Sequence, residues 1–284
     1  MKFARRKKKS RPILAILKLP TFFDELNVPL TTKYAYAAAF YSLFKRCNER
    51  GSTLLDCVPM RTRVEWMIMM DKLKNVRNEK VKENVSTDRE KANWVTVEEM
   101  QNLDKRLREE ERGSLRQLLV AFHVQIPPLR GGDLHGVEFS ADEKKRNVLT
   151  MPEGEGRAKL RVLDHKTRKV YGAVRRSLPE ILVEDIRESL KMQPRERLFV
   201  RKNGEPFTKR ADYILWKNTA LAQLLGKKVT TNILRHMYVT AGNFNKLSVK
   251  EASSRAHQLG HSLYTHLNYR RCDAEGEKDS TTQP

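Results

Sequence analysis

The chain has 284 residues, 39% hydrophobic and 32% charged, which is a globular and not a disordered composition with length enough for two modest domains. Its formal net charge is +21, and the basic residues run from "ARRKKKSR" near the start to "NYRR" near the end, so the expected partner is a polyanion, nucleic acid first. Cys47, Cys57 and Cys272 form no CxxC pair, which argues against a zinc finger or a disulfide framework, and no apolar run reaches the length of a membrane span or resembles a signal-peptide core.

Residues 1–12 read as a basic arm. Within it, residues 4–11 fit a nuclear-localisation signal, a DNA-contacting arm or a solubilising tail. The expected location is intracellular, nucleus or cytoplasm, and not secreted. Residues 13–84 read as a helical domain. "TTKYAYAAAFYSLFKRCNERG" opens on threonines suited to capping and presents Tyr36, Phe40, Leu43, Phe44 and Cys47 at helical spacing. "RTRVEWMIMMDKLKNVRNEKVKEN" predicts a second amphipathic helix whose Trp and Met residues are most simply core. Residues 85–93 are charged and poor in apolar residues, and read as an interdomain linker.

Residues 94–271 read as a larger domain. Thr96 and Glu99 fit a capping box ahead of a helix to about Glu110. "SLRQLLVAFHVQI" predicts a buried helix that ends at "PPLRGGDL". The pattern then alternates, and "RNVLTMP", "AKLRVLDHK" and "KVYGAVRRSLP" predict three short strands, the last two joined tightly around Thr167 and Arg168. Five helices follow, interrupted by a turn at "VRKNGEPFT", the last carrying "QLGHSLYTHLNYRRC". Residues 272–284 form a polar tail. The fold expected is mainly α with a small antiparallel sheet.

Several positions carry candidate chemistry. Arg130 follows two prolines, sits at an expected helix start beside a Gly pair, and has Asp133 three residues on, placed to hold its guanidinium. Lys166 is expected near a hairpin tip. Asn232 and Arg235 are three apart and share a helix face; His236 points elsewhere, inward or toward a neighbouring helix. Gly260 breaks a helix just before His261, and Tyr269 comes eight residues later. His257 and His261 are four apart but lack a third ligand, so no metal site is assigned.

In that order, an Arg, a Lys on a hairpin, an Asn-Ile-Leu-Arg helix, Leu-Gly-His and a Tyr, the second domain resembles the tyrosine recombinases, such as lambda-type phage integrases. "IPPLRGGDL", the "HKT…YG" hairpin and the Asn before "ILRH" are similar to recombinases of large DNA viruses, virophages and eukaryotic mobile elements. The resemblance covers about residues 94–271, and by layout alone the helical N-terminal segment resembles that family's core-binding domain, the two closing on DNA as a C-shaped clamp. It implies strand cleavage and rejoining through a 3′-phosphotyrosyl bond on Tyr269, without metal, ATP or other cofactor. It implies Arg130 and Arg235 as phosphate clamps, Lys166 as general acid for the 5′ oxygen, and His261 as a phosphate hydrogen-bond donor. The partner implied is double-stranded DNA, and the working unit a homotetramer on two DNA sites.

Two departures matter. Asn232 stands where the family usually has His, and an amide accepts no proton at neutral pH. Water, His261 or the phosphate itself then remain as the base. The interval from His261 to Tyr269 is one residue shorter than is common in the family. Tyr264, three residues after His261, reads as a packing residue. Other readings are a type IB topoisomerase or telomere resolvase, a DNA-binding protein that has lost turnover, and a metal-dependent nuclease or transposase using Asp133, Asp142 and Asp164.

Overall fold

A computed structural model describes residues 26–49, 59–142, 144–152, 157–242 and 247–274. The basic stretch 4–11, Cys57 and the tail beyond 274 lie outside the described residues, as do the side chains of Leu43, Phe44 and Cys47. The chain divides into two units, Met1–Glu83 and Asn84–Pro284.

The first unit holds α1 (Leu30–Glu49) and α2 (Met60–Lys82), packed against each other. Trp66 and Ala37 are fully buried, and the Trp66 ring meets Phe40 at 5.2 Å. The methionines are not all core: Met67 is exposed, and Met69 and Met70 are half-buried. The first helix does not begin as expected, while the second begins within a residue of its predicted start. Thr31 and Thr32 lie inside α1, and α2 starts from Pro59 with no side-chain cap.

The second unit starts earlier than its first strong helix. Residues 85–93, expected as linker, contain α3 (Asp88–Ala92), whose Thr87 and Glu90 form a reciprocal capping box. α4 (Val97–Glu110) has the capping box expected from Thr96 and Glu99. α5 (Leu115–Val124) is capped by the Ser114 hydroxyl, which accepts the Gln117 N–H. Its Leu118, Leu119, Val120 and Ala121 are fully buried, because α5 is packed against α4, α7 (Glu180–Met192) and α8 (Arg210–Leu225).

The sheet has order β1 (Glu138–Phe139), β2 (Asn147–Thr150), β3 (Lys159–Val162), β4 (Val174–Ser177). The β2–β3 and β3–β4 pairs are antiparallel, with Leu149 opposite Leu160 and Val162 opposite Val174. The short β1 pairs with β2 in parallel, so the sheet is mixed rather than wholly antiparallel. The hairpin between β3 and β4 forms, but its connection is not tight. "RKVY" is a helical turn, α6 (Arg168–Tyr171), ended by Gly172 at φ +65°. Val170 is 74% exposed there, so its β-branched side chain has no sheet face to favour a strand.

α9 (Thr231–Ala241), α10 (Val249–Gln258) and α11 (Leu263–Leu267) complete the described fold. α11 is only five residues long. Among the described residues no helix is long and apolar enough to cross a membrane.

Candidate active site

The site is built on the turn that ends α10. Gly260 has φ +68°, a conformation side chains resist, and it lets the chain reverse. The His261 N–H bonds the Ala256 carbonyl at 3.2 Å and the Gly260 N–H bonds the His257 carbonyl at 2.8 Å, the Schellman pattern of a helix C-terminus. His261 is thereby delivered at a fixed position just past the helix, and it is buried.

This turn leaves three consecutive carbonyls, those of Gln258, Leu259 and Gly260, and each is taken by a different arginine. Arg176 on β4 donates from Nη2 to Gln258 O. Arg235 on α9 donates from Nη2 to Leu259 O at 2.8 Å. Arg130 donates from Nη2 to Gly260 O at 3.2 Å. Two of these guanidiniums also reach the diproline segment, Arg176 to Pro127 O at 2.6 Å and Arg235 to Pro128 O at 2.9 Å. Planar forks with five donors bridge two backbone segments in a fixed geometry that a lysine does not reproduce. "PPLR" and "QLGH", far apart in sequence, are stitched together by guanidinium groups.

The Arg130 segment is not a helix start as expected; it is a run of turns over 131–136. Asp133 is buried, and it accepts the Arg130 backbone N–H at 3.1 Å rather than the guanidinium. Its ion pair is with Arg210, at 3.0 Å. Burial pushes the Asp133 carboxyl up, opposed by its bond from the Arg130 N–H and by the Arg210 charge. A Cβ at Gly132 would lie 2.0 Å from Arg210 Nε, so a larger residue there would push the Arg210 side chain off its present path. Lys217, also buried, donates to Gly131 O at 3.0 Å and to the Thr231 hydroxyl at the start of α9. Desolvation brings its ammonium down to about 8.

Arg235 is 1% exposed, and its Nε has no hydrogen-bond partner. Among the described residues neither Arg130 nor Arg235 pairs with a carboxylate. Arg235 Nη2 also lies 3.2 Å from His261 Nδ1. A guanidinium only donates, so Nδ1 accepts and the His261 proton sits on Nε2. That Nε2 is 3.0 Å from His266 Nδ1, which therefore accepts in turn. Burial, then the Arg235 charge, holds His261 down to about 3 and His266 down to about 4, so both are neutral at pH 7.

Tyr269 joins this cluster. The Arg235 guanidinium lies 5.3 Å from its ring centroid and the His261 ring 5.0 Å away. It does not lie on a helix as expected. α11 stops at Leu267, Asn268 is its C-cap, and Tyr269 sits in the following turn with its N–H on the His266 carbonyl at 2.9 Å. Tyr264, expected to be a packing residue, is 64% exposed.

The structure thus brings Arg130, Arg235, His261 and Tyr269 together. Lys166 is exposed, one residue before Thr167, whose hydroxyl accepts from Arg130 Nη1 at 2.7 Å and donates to Gly260 O at 3.1 Å. Asn232 does not share Arg235's environment: it is exposed while Arg235 is buried. His257 is exposed, and both ring nitrogens of His261 have partners within the protein. Among the described residues no group of three or more His, Cys, Asp or Glu is arranged to hold a metal ion. Asp142 and Asp164 are exposed, whereas Asp133 is buried.

Sequence reasoning missed Arg176 and the role of His236. Arg176 had a signal: in "VRRS" it falls on the inward face with Val174 while Arg175 and Ser177 are exposed, and an inward arginine asks for partners. The sequence places His236 off Arg235's face, and the structure puts its ring against Tyr269, with centroids 4.6 Å apart.

No protein-family model matches the chain, and no curated protein matches it. Among the solved structures similar to it, XerA recombinase shares 14% identity at a TM-score of 0.41, over 91% of this chain and 93% of that one. A lambda integrase dimer bound to a COC′ core site shares 15% identity at 0.41, over 100% of this chain and 78% of that one. The Tn1549 transposon integrase in complex with transposon right end DNA shares 12% identity at 0.37, over 94% and 91%. Likeness at this level carries no conclusion about chemistry.

Proposed function

We propose that this chain is a DNA strand-breaking and rejoining enzyme of the tyrosine recombinase type. The observation that supports it most is a cationic site without a direct ion pair: Arg130 and Arg235 meet at consecutive carbonyls beside the Tyr269 ring, and among the described residues neither guanidinium contacts a carboxylate, Asp133 accepting only the Arg130 backbone N–H. A buried cation hydrogen-bonded only to neutral groups carries an uncompensated desolvation cost, which a bound anion relieves. A DNA phosphate is the anion that a net charge of +21 would recruit.

In this reading the Tyr269 oxygen attacks phosphorus, a 3′-phosphotyrosyl ester forms, and the bond to the 5′ oxygen breaks. Lys166 supplies the proton to the leaving 5′ oxygen, and its exposed place at the hairpin lets it swing to a bound strand. Arg130 and Arg235 stabilise charge on the non-bridging oxygens. His261 donates from Nε2 to the phosphate once it exchanges His266 for it. Its Nδ1 is engaged by Arg235, so the phenol proton goes to a phosphate oxygen or to water. Asn232 accepts none. Attack by a second DNA end reverses the chemistry and rejoins the strand, and two such sites call for a homotetramer.

The reading is tested on a nicked duplex that loses a short strand after cleavage and so traps the covalent product. Its sequence is taken from a random pool by selection for tight binding. With EDTA present, wild type and Tyr264→Phe should give a slow-migrating protein–DNA adduct on denaturing gels, and Tyr269→Phe none. Binding without any adduct would favour the second reading, a DNA-binding protein that has lost turnover, which draws on Asn232 in place of a proton-accepting His.

A further inference from the structure

Tyr269 lies beyond the end of a five-residue helix, so α11 alone cannot hold it. What holds it comes from α9. His236 Nδ1 is 2.7 Å from the Tyr269 carbonyl oxygen, and the imidazole stacks on the phenol with the ring planes 26° apart. Thr240 lies one turn further along the same face, and its hydroxyl accepts the Arg271 N–H at 3.0 Å. Two side chains of one helix therefore grip the backbone on both sides of Arg270.

The tautomer that this needs is fixed by the next contact. Arg271 Nη2 donates to His236 Nε2 at 3.1 Å, so Nε2 accepts and the proton is on Nδ1, facing the Tyr269 carbonyl. Glu90 Oε1 anchors the same Arg271 nitrogen at 3.1 Å and lies 3.3 Å from His236 Nε2. Burial holds His236 below its ordinary value, which keeps the ring neutral.

Arg235 and His236 are consecutive, about 100° apart around α9. One face of the helix sends a guanidinium to the Leu259–His261 turn, and the adjoining face sends an imidazole to the tyrosine. Any movement of α9 carries both together, so the distance between the anion clamp and the phenol is set within one rigid element.

We propose that His236 is the positioning residue for Tyr269, holding the phenol against the Arg235 clamp by stacking and by its bond to the Tyr269 carbonyl. This rests on the recombinase reading above. His236 does not touch the reacting atoms; it acts through Tyr269, and its contribution appears in the rate of attack rather than in DNA affinity.

The experiment measures adduct formation by the full chain on the selected nicked duplex, at saturating protein, alongside the Kd for the intact duplex. A misplacement of about 1 Å can cost on the order of 10²-fold in rate. His236→Ala should lower the adduct rate by roughly that factor, with Kd within about 2-fold of wild type. His236→Asn, whose amide nitrogen can take the place of Nδ1, should recover most of the loss, and His236→Phe, which keeps only the stack, should recover less. A second substrate carries sulfur in place of the leaving 5′ oxygen, which needs no proton to depart. Lys166→Ala should regain rate on it and His236→Ala should stay slow, because a better leaving group does not realign the nucleophile. His236→Ala reacting at the wild-type rate, or regaining full rate with the sulfur substrate, overturns the proposal. If His236→Ala unfolds, equal rates for the Asn and Phe variants and wild type overturn it instead. A wild-type protein that binds the duplex and forms no adduct brings down the recombinase reading, and this proposal with it.

Discussion

Each of the carbonyls of Gln258, Leu259 and Gly260 has its own arginine, and the energetics of the site depend on that arrangement. Arg235→Lys leaves buried acceptors at Pro128, Leu259 and His261 with too few donors, since a lysine does not reproduce a fork that serves three of them. Loss of about 1–3 kcal/mol in unfolding free energy is expected, measured by denaturant titration, with adduct formation reduced by roughly 10²–10³-fold. The histidines make a second prediction. His261 and His266 are held near 3 and 4, below their ordinary value of 6.5, and buried His123 is held at about 4. The unfolded chain therefore binds more protons than the folded one between about 6.5 and 3, the His266 and His123 part being complete by about 4 and the His261 part by about 3. Their stabilising contribution is complete above 6.5 and is lost as pH falls through that window. Tm should drop from pH 7 to pH 5, and His261→Gln should flatten part of that slope without abolishing it. A slope unchanged in the variant would contradict the assignment. Arg130, Arg235 and His261 were legible because each lies close to a punctuating feature, a diproline, a helix start or a Gly, whereas Tyr269 was picked out by its place in the order and not by a local signal. His236 was not, because its partners, the Tyr269 carbonyl and ring and the Arg271 guanidinium, lie over 30 positions away, and Arg176 showed only the faint signal of an inward-facing arginine on a short strand.

At the scale of elements, the capping boxes and long amphipathic helices were readable, while tertiary contacts decided the rest. α11 stops at Leu267 because the backbone beyond it is claimed from outside: the Tyr269 carbonyl by His236 and the Arg271 N–H by Thr240. The stretch 84–91 then clasps Cys272 and Asp273. The Cys272 N–H bonds Asn84 O at 3.0 Å, Asp273 accepts both the backbone and hydroxyl of Ser86 at 2.9 Å, and Lys91 pairs with Asp273 at 3.3 Å. This is why residues 85–93 contain a short helix with partners and are not a bare connection: their charges looked solvated in sequence because their partners lie some 180 positions away. Each hydrogen bond contributes about 1 kcal/mol, so Asp273→Ala should raise amide exchange at Tyr269–Arg271 by roughly 5–30-fold. Exchange unchanged there would mean that the clasp does not hold the tyrosine strap.

For the molecule as a whole, the proposed recombinase would, at a net charge of +21, draw most of its DNA affinity from phosphate contacts. Binding to the selected duplex should weaken steeply with salt, a plot of log K against log salt having a slope of about −5 to −9 for roughly six to ten phosphates neutralised. Charge and helix content were visible in composition and periodicity, whereas the parallel β1 was not, since two residues carry no periodicity. The recombinase reading stands on Tyr269 becoming covalently joined to DNA, and mass spectrometry of the nuclease-trimmed, protease-digested adduct observes that bond itself. A nucleotide-phosphate mass is expected on the peptide containing Tyr269, with fragment ions placing it on that residue in the presence of EDTA. The same mass on Tyr264, or no modified peptide from a protein that binds the duplex, would contradict it.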